Sequence, residues 1–276
     1  MERHRLLEGR LVIGGEGNVL GRARQAVRRP RKLRRSIYLL PTAFTVGNIF
    51  AGFFAITATL NGDYQAAAVA IGIAVVLDCL DGRVARLAKV TSDFGSQLDS
   101  LADIISFGIA PAILIYSWGL GELGNFARFS AFVYLICGAM RLARYNIQLK
   151  DLKHFAGLPI PGGAGFLAAT VHLFVVPIDS PLFTLYLVAV VFLLSFLMIS
   201  AIRYPSLSQL NLGRGKSHLN VLLIALLVAG VAWFSQEVLM VLATLYVSTG
   251  LFSRAHQFVK FRLHSEELAP KESRID

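Results

Sequence analysis

The chain has 276 residues, of which 55% are hydrophobic and 16% are charged, and its mean hydropathy is +0.61. This composition is typical of a polytopic membrane protein and excludes an ordinary soluble domain. The formal net charge is +10, and 11 of the 27 Lys and Arg residues precede position 36. A basic run directly before a hydrophobic span is typical of anchoring to anionic membrane lipids, so we expect no nucleic-acid partner.

The hydrophobic stretches predict an all-α fold, a polytopic membrane helix bundle. A bilayer core about 30 Å thick needs roughly 20 apolar helical residues. On that scale the sequence contains about eight transmembrane helices, with spans at 38–60, 66–88, 97–119, 127–147, 163–179, 182–202, 219–234 and 236–253. We divide the chain into a basic juxtamembrane arm (1–36), a six-helix core (37–202), two additional helices (203–253) and a polar tail (254–276).

The distribution of basic residues predicts that both termini are cytoplasmic. With the N-terminus inside, the cytoplasmic junctions carry clusters of Lys and Arg, namely Arg83/Arg86/Lys89, Arg141/Arg144/Lys150/Lys153, Arg203/Arg214/Lys216 and Arg254/Lys260/Arg262. The opposite turns hold almost none, as the positive-inside rule requires.

Four aspartates, Asp78, Asp81, Asp99 and Asp103, lie inside otherwise apolar segments of helix length. A charged residue at the bilayer centre costs about 2.5–3.5 kcal/mol on insertion scales, so a group of four needs a compensating positive charge. Spacings of three and four residues place each pair on one helix face, and a short turn at 90–95 lets the two pairs face one another. Because ligation by oxygen alone suits Mg²⁺ or Mn²⁺, the pattern predicts a site for two such ions, suited to phosphoryl transfer.

Small residues accompany the acids. Gly82, Ala85 and Gly95 leave the helix surfaces bare, so that a ligand can approach the backbone. They are equally compatible with close packing between membrane helices. Arg86 supplies a permanent cation that can pair with a phosphate.

The string Asp78-x2-Asp81-Gly82-x2-Ala85-Arg86-x8-Gly95-x3-Asp99-x3-Asp103 resembles the signature of the CDP-alcohol phosphotransferase family at every specified position. The resemblance implies that residues 37–202 are the catalytic core and that the four aspartates hold two divalent metal ions. It also implies that Asp103 is the general base and that CDP is bound around the small residues and the arginine. Members of this family transfer a phosphatidyl or related group from a CDP-activated molecule to a hydroxyl and release CMP.

Three further segments resemble the branch of this family that uses serine. They are Tyr38-Leu-Leu-Pro41-x3-Thr45-x2-Asn48, Arg141-Leu-Ala-Arg144-Tyr-Asn146 and Phe155-Ala-Gly157-Leu-Pro159-Ile-Pro161. The chain departs from that pattern at Thr42, where we expect Asn. This resemblance implies CDP-diacylglycerol as donor, L-serine as acceptor, Asn48 as a CDP contact and a homodimer. We expect the protein in a bacterial inner membrane, with its active site facing the cytoplasm.

The residues themselves leave the acceptor open. Arg141 and Arg144 lie three apart on one helical face and can bind the carboxylate of serine. They can equally bind the phosphate of glycerol 3-phosphate or inositol phosphate, or extend to lipid head groups. Asn146 can hold an amino or hydroxyl group of the acceptor, choline included, or end a helix.

A cation transporter is the alternative of a different class, because intramembrane acids also mark ion pathways. The acids cluster towards one side and the outer halves of the spans are nearly free of charge, which favours the enzyme. The two cysteines, Cys79 and Cys137, lie in apolar stretches and predict two buried thiols without a disulfide.

Overall fold

The computed structural model describes residues 31–88, 93–148, 157–202, 204 and 234–250. These residues form helices and turns with no strand, which confirms the all-α prediction. The helices are α1 (Arg31–Leu60), α2 (Tyr64–Ala88), α3 (Asp93–Asp103), α4 (Ala110–Ile115), α5 (Asn125–Gln148), α6 (Ile160–Leu173), α7 (Pro181–Ile199) and α8 (235–250).

Four helical stretches are long and apolar enough to cross a membrane, and together they identify an integral membrane protein. They are Thr42–Leu60, Phe94–Leu123, Asn125–Ile147 and Pro181–Ile199. They correspond to the first, third, fourth and sixth predicted spans. The total of eight spans and the cytoplasmic position of both termini stay predictions. The seventh span, nearly all of the basic arm and the polar tail lie outside the described residues.

Several helix limits differ from the sequence prediction. Helix α1 begins at Arg31 rather than at 38 and continues through Pro41. Helix α3 begins at Asp93, inside the predicted turn. Helix α6 ends at Leu173 rather than at 179, because Pro177 disfavours helical conformation in the residues before it.

The third span is continuous from α3 to Leu123 but changes its helical pitch. Residues Ile104–Ile109, between α3 and α4, are π-helical. Pro111 has no N–H to offer the carbonyl of Phe107, four residues before it. The hydroxyl of the fully buried Tyr134, on α5, donates to that carbonyl instead (3.1 Å). A side chain of one helix thus supplies a donor to a carbonyl that cannot receive an N–H from the residue four positions later.

A tight turn joins α1 to α2 and makes them antiparallel neighbours. Gly62 has a φ of 79°, which favours glycine. The Asp63 carboxylate accepts a hydrogen bond from the backbone N–H of Ala66 (3.0 Å) and so caps α2. The two helices pack through small residues such as the fully buried Ala55 and Ala67, which let membrane helices approach closely.

At Gly52, α1 approaches the third span closely. A Cβ atom there would lie 2.8 Å from the Cα of Ser106. The Ser106 hydroxyl donates to the backbone carbonyl of Asn48 (2.8 Å), one turn earlier on α1. Because Ser106 follows Asp103 by three residues, this contact fixes α1 against the helix that carries the carboxylates.

We therefore expect Gly52→Ala to destabilise the protein by about 1–3 kcal/mol, since the added methyl group forces α1 and the third span apart. Thermal unfolding of the purified protein in detergent measures the change. Gly72→Ala is the matched control, because a Cβ atom at Gly72 meets nothing within 4 Å. Equal melting temperatures for the two variants would contradict the predicted contact.

Candidate active site

Three of the four predicted aspartates come together in the structure. Asp78 on α2 and Asp99 and Asp103 on α3 each offer a carboxylate oxygen, and these three atoms lie within 4.8 Å of one another. Asp78 lies ten residues before the end of α2 and Asp103 ten residues after the start of α3, as expected of facing positions in two consecutive helices that run in opposite directions. The residues are half-buried, so their charges are only partly screened by solvent.

The carboxylates have unused capacity for a ligand. The Oδ1 atoms of Asp99 and Asp103 are buried and have no hydrogen-bond partner in the described part of the chain. Buried polar atoms without partners are uncommon and point to an ion, a water molecule or a ligand. A set of oxygen donors with net negative charge fits a divalent cation such as Mg²⁺ or Mn²⁺. The residues present therefore fit the predicted metal site.

Asp81 stands outside this 4.8 Å group and is held by other residues. It is 5% exposed, and the Thr45 hydroxyl on α1 donates to its Oδ2 atom (3.3 Å). The backbone N–H of Gly82 also donates to this carboxylate. Asp81 still interacts electrostatically with Asp99 and Asp78. The structure thus brings three carboxylates together and places the fourth beside them, where it accepts a hydrogen bond from Thr45 of α1.

We expect Thr45→Val to lower the rate of CMP release about tenfold, because it removes a hydrogen bond to a charged group without changing the side-chain volume. Steady-state assays with saturating substrates measure the effect. Thr57→Val on the same helix is the control, since within the described residues the Thr57 hydroxyl donates to the backbone carbonyls of Phe53 and Phe54 of its own helix. A Thr45 variant as active as the control would show that Asp81 needs no support from α1.

Asn48, the predicted CDP contact on α1, is completely buried. Neither its Oδ1 nor its Nδ2 atom has a hydrogen-bond partner among the residues described. A buried amide without partners costs free energy, and a ligand that supplies a donor and an acceptor removes this cost. Asn48 lies one helical turn from Thr45, on the part of α1 that faces the aspartates. Its surroundings are compatible with the predicted role in nucleotide binding.

The other residues predicted to bind CDP occupy the same end of the bundle. Gly82 directly follows Asp81 on α2 and is half-buried, as is Gly95 in the first turn of α3. Ala85 and Arg86 belong to the last turn of α2, and their side chains lie outside the described part of the structure. Their contacts with CDP stay predictions.

Arg141, on α5, faces the carboxylates. Its guanidinium interacts electrostatically with Asp103 and Asp78. The Nε atom of Arg141 is buried and finds no hydrogen-bond partner within the described ranges. A guanidinium presents five donors in a planar arrangement that matches carboxylate and phosphate groups. Arg141 is thus placed to bind an anion close to the aspartates.

The two other predicted acceptor residues have partners within the protein. Arg144 donates from Nη1 to the carbonyl of Ile199 at the end of α7 (3.0 Å). Asn146 donates from Nδ2 to the Ser100 hydroxyl on α3 (2.9 Å). Both residues keep further donors, so the contacts join α5 to its neighbours without excluding a role in binding.

Some features of the site were missed by sequence reasoning. The prediction of two buried thiols is wrong for Cys79, which is exposed, and confirmed for Cys137. Cys79 follows the inward-facing Asp78, and consecutive helical residues point in different directions. The hydrogen bond from Thr45 to Asp81 was also missed, although Thr45 belongs to the first of the three segments that resemble the serine-using branch.

Comparison with known proteins agrees with this geometry. The family model for CDP-alcohol phosphatidyltransferase matches residues 38–192, which include all four aspartates. The chain belongs to the CDP-alcohol phosphatidyltransferase family and is an enzyme of that class.

Similar proteins include a CDP-diacylglycerol–serine O-phosphatidyltransferase of Helicobacter pylori (strain ATCC 700392 / 26695). It is 33% identical over 241 residues, which cover 84% of this chain and 98% of that protein. The enzyme of the same name from Methanocaldococcus jannaschii is 40% identical over 171 residues, or 62% of this chain and 76% of the relative. An archaetidylserine synthase of Methanothermobacter thermautotrophicus is 36% identical over 175 residues, or 62% of this chain and 71% of that protein.

Proposed function

We propose that this protein transfers the phosphatidyl group of CDP-diacylglycerol to the hydroxyl of L-serine, forming phosphatidylserine and CMP, in a reaction that depends on divalent metal ions. The observation that carries the proposal is the group of three carboxylates near Arg141, two of which have a buried oxygen without a partner in the described part of the chain. It occurs in a family that works on CDP-activated substrates, and relatives along most of the chain are named for serine.

In this proposal Asp78, Asp81, Asp99 and Asp103 hold two Mg²⁺ or Mn²⁺ ions. When bound, such ions neutralise the pyrophosphate of the donor and stabilise the charge that develops on CMP as it leaves. Asn48 and the segment from Gly82 to Gly95, with Ala85 and Arg86, bind the nucleotide. The acyl chains of the donor stay in the inner leaflet, because the surface around the site is apolar.

Asp103 acts as the general base. It takes the proton of the acceptor hydroxyl while that oxygen attacks the β-phosphorus of the donor. A bond forms between the serine oxygen and this phosphorus, and the bond from phosphorus to the bridging oxygen breaks. The electron pair of that bond stays with CMP. An alcohol is a poor nucleophile, so most of the acceleration comes from positioning and from electrostatic stabilisation.

Arg141, Arg144 and Asn146 are the proposed acceptor site. Arg141 interacts electrostatically with Asp103 and Asp78, and its guanidinium binds the carboxylate of the serine substrate. Arg144 and Asn146 shape the site through their contacts with α7 and α3 and offer further donors. An acceptor that carries a phosphate group is the main alternative ligand for this site, because a guanidinium binds a phosphate as well as a carboxylate.

Release of CMP by the purified protein tests the proposal. CDP-diacylglycerol is supplied with Mg²⁺ or Mn²⁺, and L-serine, glycerol 3-phosphate, inositol phosphate and choline are added in separate reactions. We expect release with L-serine alone. Release with another acceptor keeps the family and the site but rejects serine. No release with any acceptor, together with metal-dependent cation uptake into sealed vesicles, would favour a transporter.

We further propose that the protein is in a bacterial inner membrane, with the site open to the cytoplasm. The support is the bias of basic residues towards the junctions on the same side as the aspartates. The predicted homodimer has no support in the described chain and stays a prediction. Chemical crosslinking in native membranes tests it.

A further inference from the structure

Helix α8, which carries no recognisable motif, places Tyr246 against the helices of the site. A Cβ atom on Gly162, in the first turn of α6, would lie 2.6 Å from Cε1 of Tyr246 and 3.1 Å from its Cδ1. The aromatic ring therefore rests directly on the backbone of α6. Tyr246 also interacts electrostatically with Cys79, the residue next to Asp78 on α2. The ring thus lies at the junction of α2 and α6, close to the carboxylates.

Tyr246 also lies within electrostatic range of the guanidinium of Arg141. The same guanidinium interacts with Asp103, Tyr145 and Asp78, so Tyr246 and two of the site's aspartates share one arginine. A phenol hydroxyl and a guanidinium both donate hydrogen bonds, so a small anion between them receives donors from two sides. The Nε atom of Arg141, buried and without a partner in the described chain, leaves such a donor available.

The position of Tyr246 is fixed by the attachment of α8 to the rest of the protein. The Tyr204 hydroxyl donates to the carbonyl of Val247 (3.2 Å), and the centroids of the Tyr204 and Tyr246 rings are 6.0 Å apart. At the other end of α8, Nε2 of His172 and the Ser235 hydroxyl are 3.0 Å apart. Because both ends are attached, Tyr246 is held in place before any ligand binds.

We propose that Tyr246 is a specificity-determining residue whose hydroxyl donates a hydrogen bond to the carboxylate of the acceptor amino acid bound by Arg141. This inference rests on the proposed function and adds one polar contact to it. A carboxylate and a phosphate share the chemistry that the pair recognises, and the inference commits to the carboxylate of a free amino acid. An acceptor without an oxyanion, such as choline, gains nothing from Tyr246.

The variant Tyr246→Phe tests this inference, since it removes only the hydroxyl and keeps the ring on Gly162. We expect the KM for L-serine to rise about tenfold, as for the loss of one hydrogen bond to a charged group. We expect kcat and the KM for CDP-diacylglycerol to stay within about twofold of the wild-type values, and the melting temperature to stay unchanged. Tyr186→Phe is the matched control, because Tyr186 is 41% exposed on α7 and stacks on Phe183.

The outcomes separate this inference from the function on which it rests. If the wild-type protein releases CMP with glycerol 3-phosphate but not with L-serine, both the serine assignment and the inference are overturned. If the wild type uses L-serine and Tyr246→Phe behaves like Tyr186→Phe, only the inference fails. Equal rises in both KM values, or a fall in kcat alone, would show that Tyr246 supports packing and would also overturn it.

Discussion

We expect Asp103→Asn to reduce CMP release about 10³-fold, the contribution typical of a general base, while the protein stays folded. Asparagine has nearly the same shape but cannot accept the proton of the attacking hydroxyl. It also removes one negative charge from a group whose oxygens lie within 4.8 Å of one another, and the repulsion relieved from the other aspartates exceeds the attraction lost to Arg141. Turnover with saturating substrates and the melting temperature in detergent are the measurements.

Two comparisons make the Asp103 result specific. Asp179→Asn is the matched control, because Asp179 is an exposed carboxylate in the connection before α7. It should retain wild-type activity. Binding of CDP-diacylglycerol, measured without an acceptor, should persist in Asp103→Asn, since the other aspartates remain. Turnover of Asp103→Asn at the wild-type rate would rule out Asp103 as the base.

The second large effect is expected from removal of divalent metal ions. Chelation with EDTA should lower CMP release at least about a hundredfold, because the charge that develops on the leaving group loses its electrostatic stabilisation. Added Mg²⁺ or Mn²⁺ should restore activity. Full turnover in the presence of excess EDTA would contradict the metal site.

Metal removal should also change stability, which gives a readout independent of activity. Two ionised carboxylates 4.8 Å apart repel by roughly 3–4 kcal/mol at an effective dielectric constant near 20. We therefore expect the wild-type protein to melt at a lower temperature in EDTA than in Mg²⁺. The difference in melting temperature between the Asp78→Asn variant and the wild type should change sign with the metal. The variant should melt above the wild type in EDTA, where repulsion between carboxylates dominates, and below it in Mg²⁺, where the variant lacks one metal ligand.

The part of the site that depends on local spacing was predictable from the sequence. Asp99 and Asp103 are four residues apart, and helical geometry alone places them on one face. The approach of Asp78 required one further assumption, that the two helices face one another, and the 4.8 Å grouping of the three carboxylates agrees with it. The all-α fold was predictable for a similar reason, since it follows from the length of continuous apolar stretches, which is a local property of the sequence.

Contacts between distant segments were not predictable in this way. Thr45 precedes Asp81 by 36 residues, and no local pattern indicates that its hydroxyl points at that carboxylate. Tyr246 comes from a helix without a motif, and its relation to Arg141 depends on how α8 packs. The length of α6 was overestimated because hydropathy continues past Leu173, while the backbone conformation is limited by Pro177.

The hydrogen bond from Tyr134 to the carbonyl of Phe107 has a consequence for how this chain can change over evolution. Replacing Tyr134 while Pro111 stays is costly, because the buried carbonyl then has neither the hydroxyl nor the N–H of the residue four positions later. Replacing Pro111 first supplies a backbone N–H without displacing the tyrosine, since a carbonyl oxygen has two lone pairs, and it lowers the cost of losing Tyr134 afterwards. The two positions form one evolutionary unit, although 23 residues separate them in the chain.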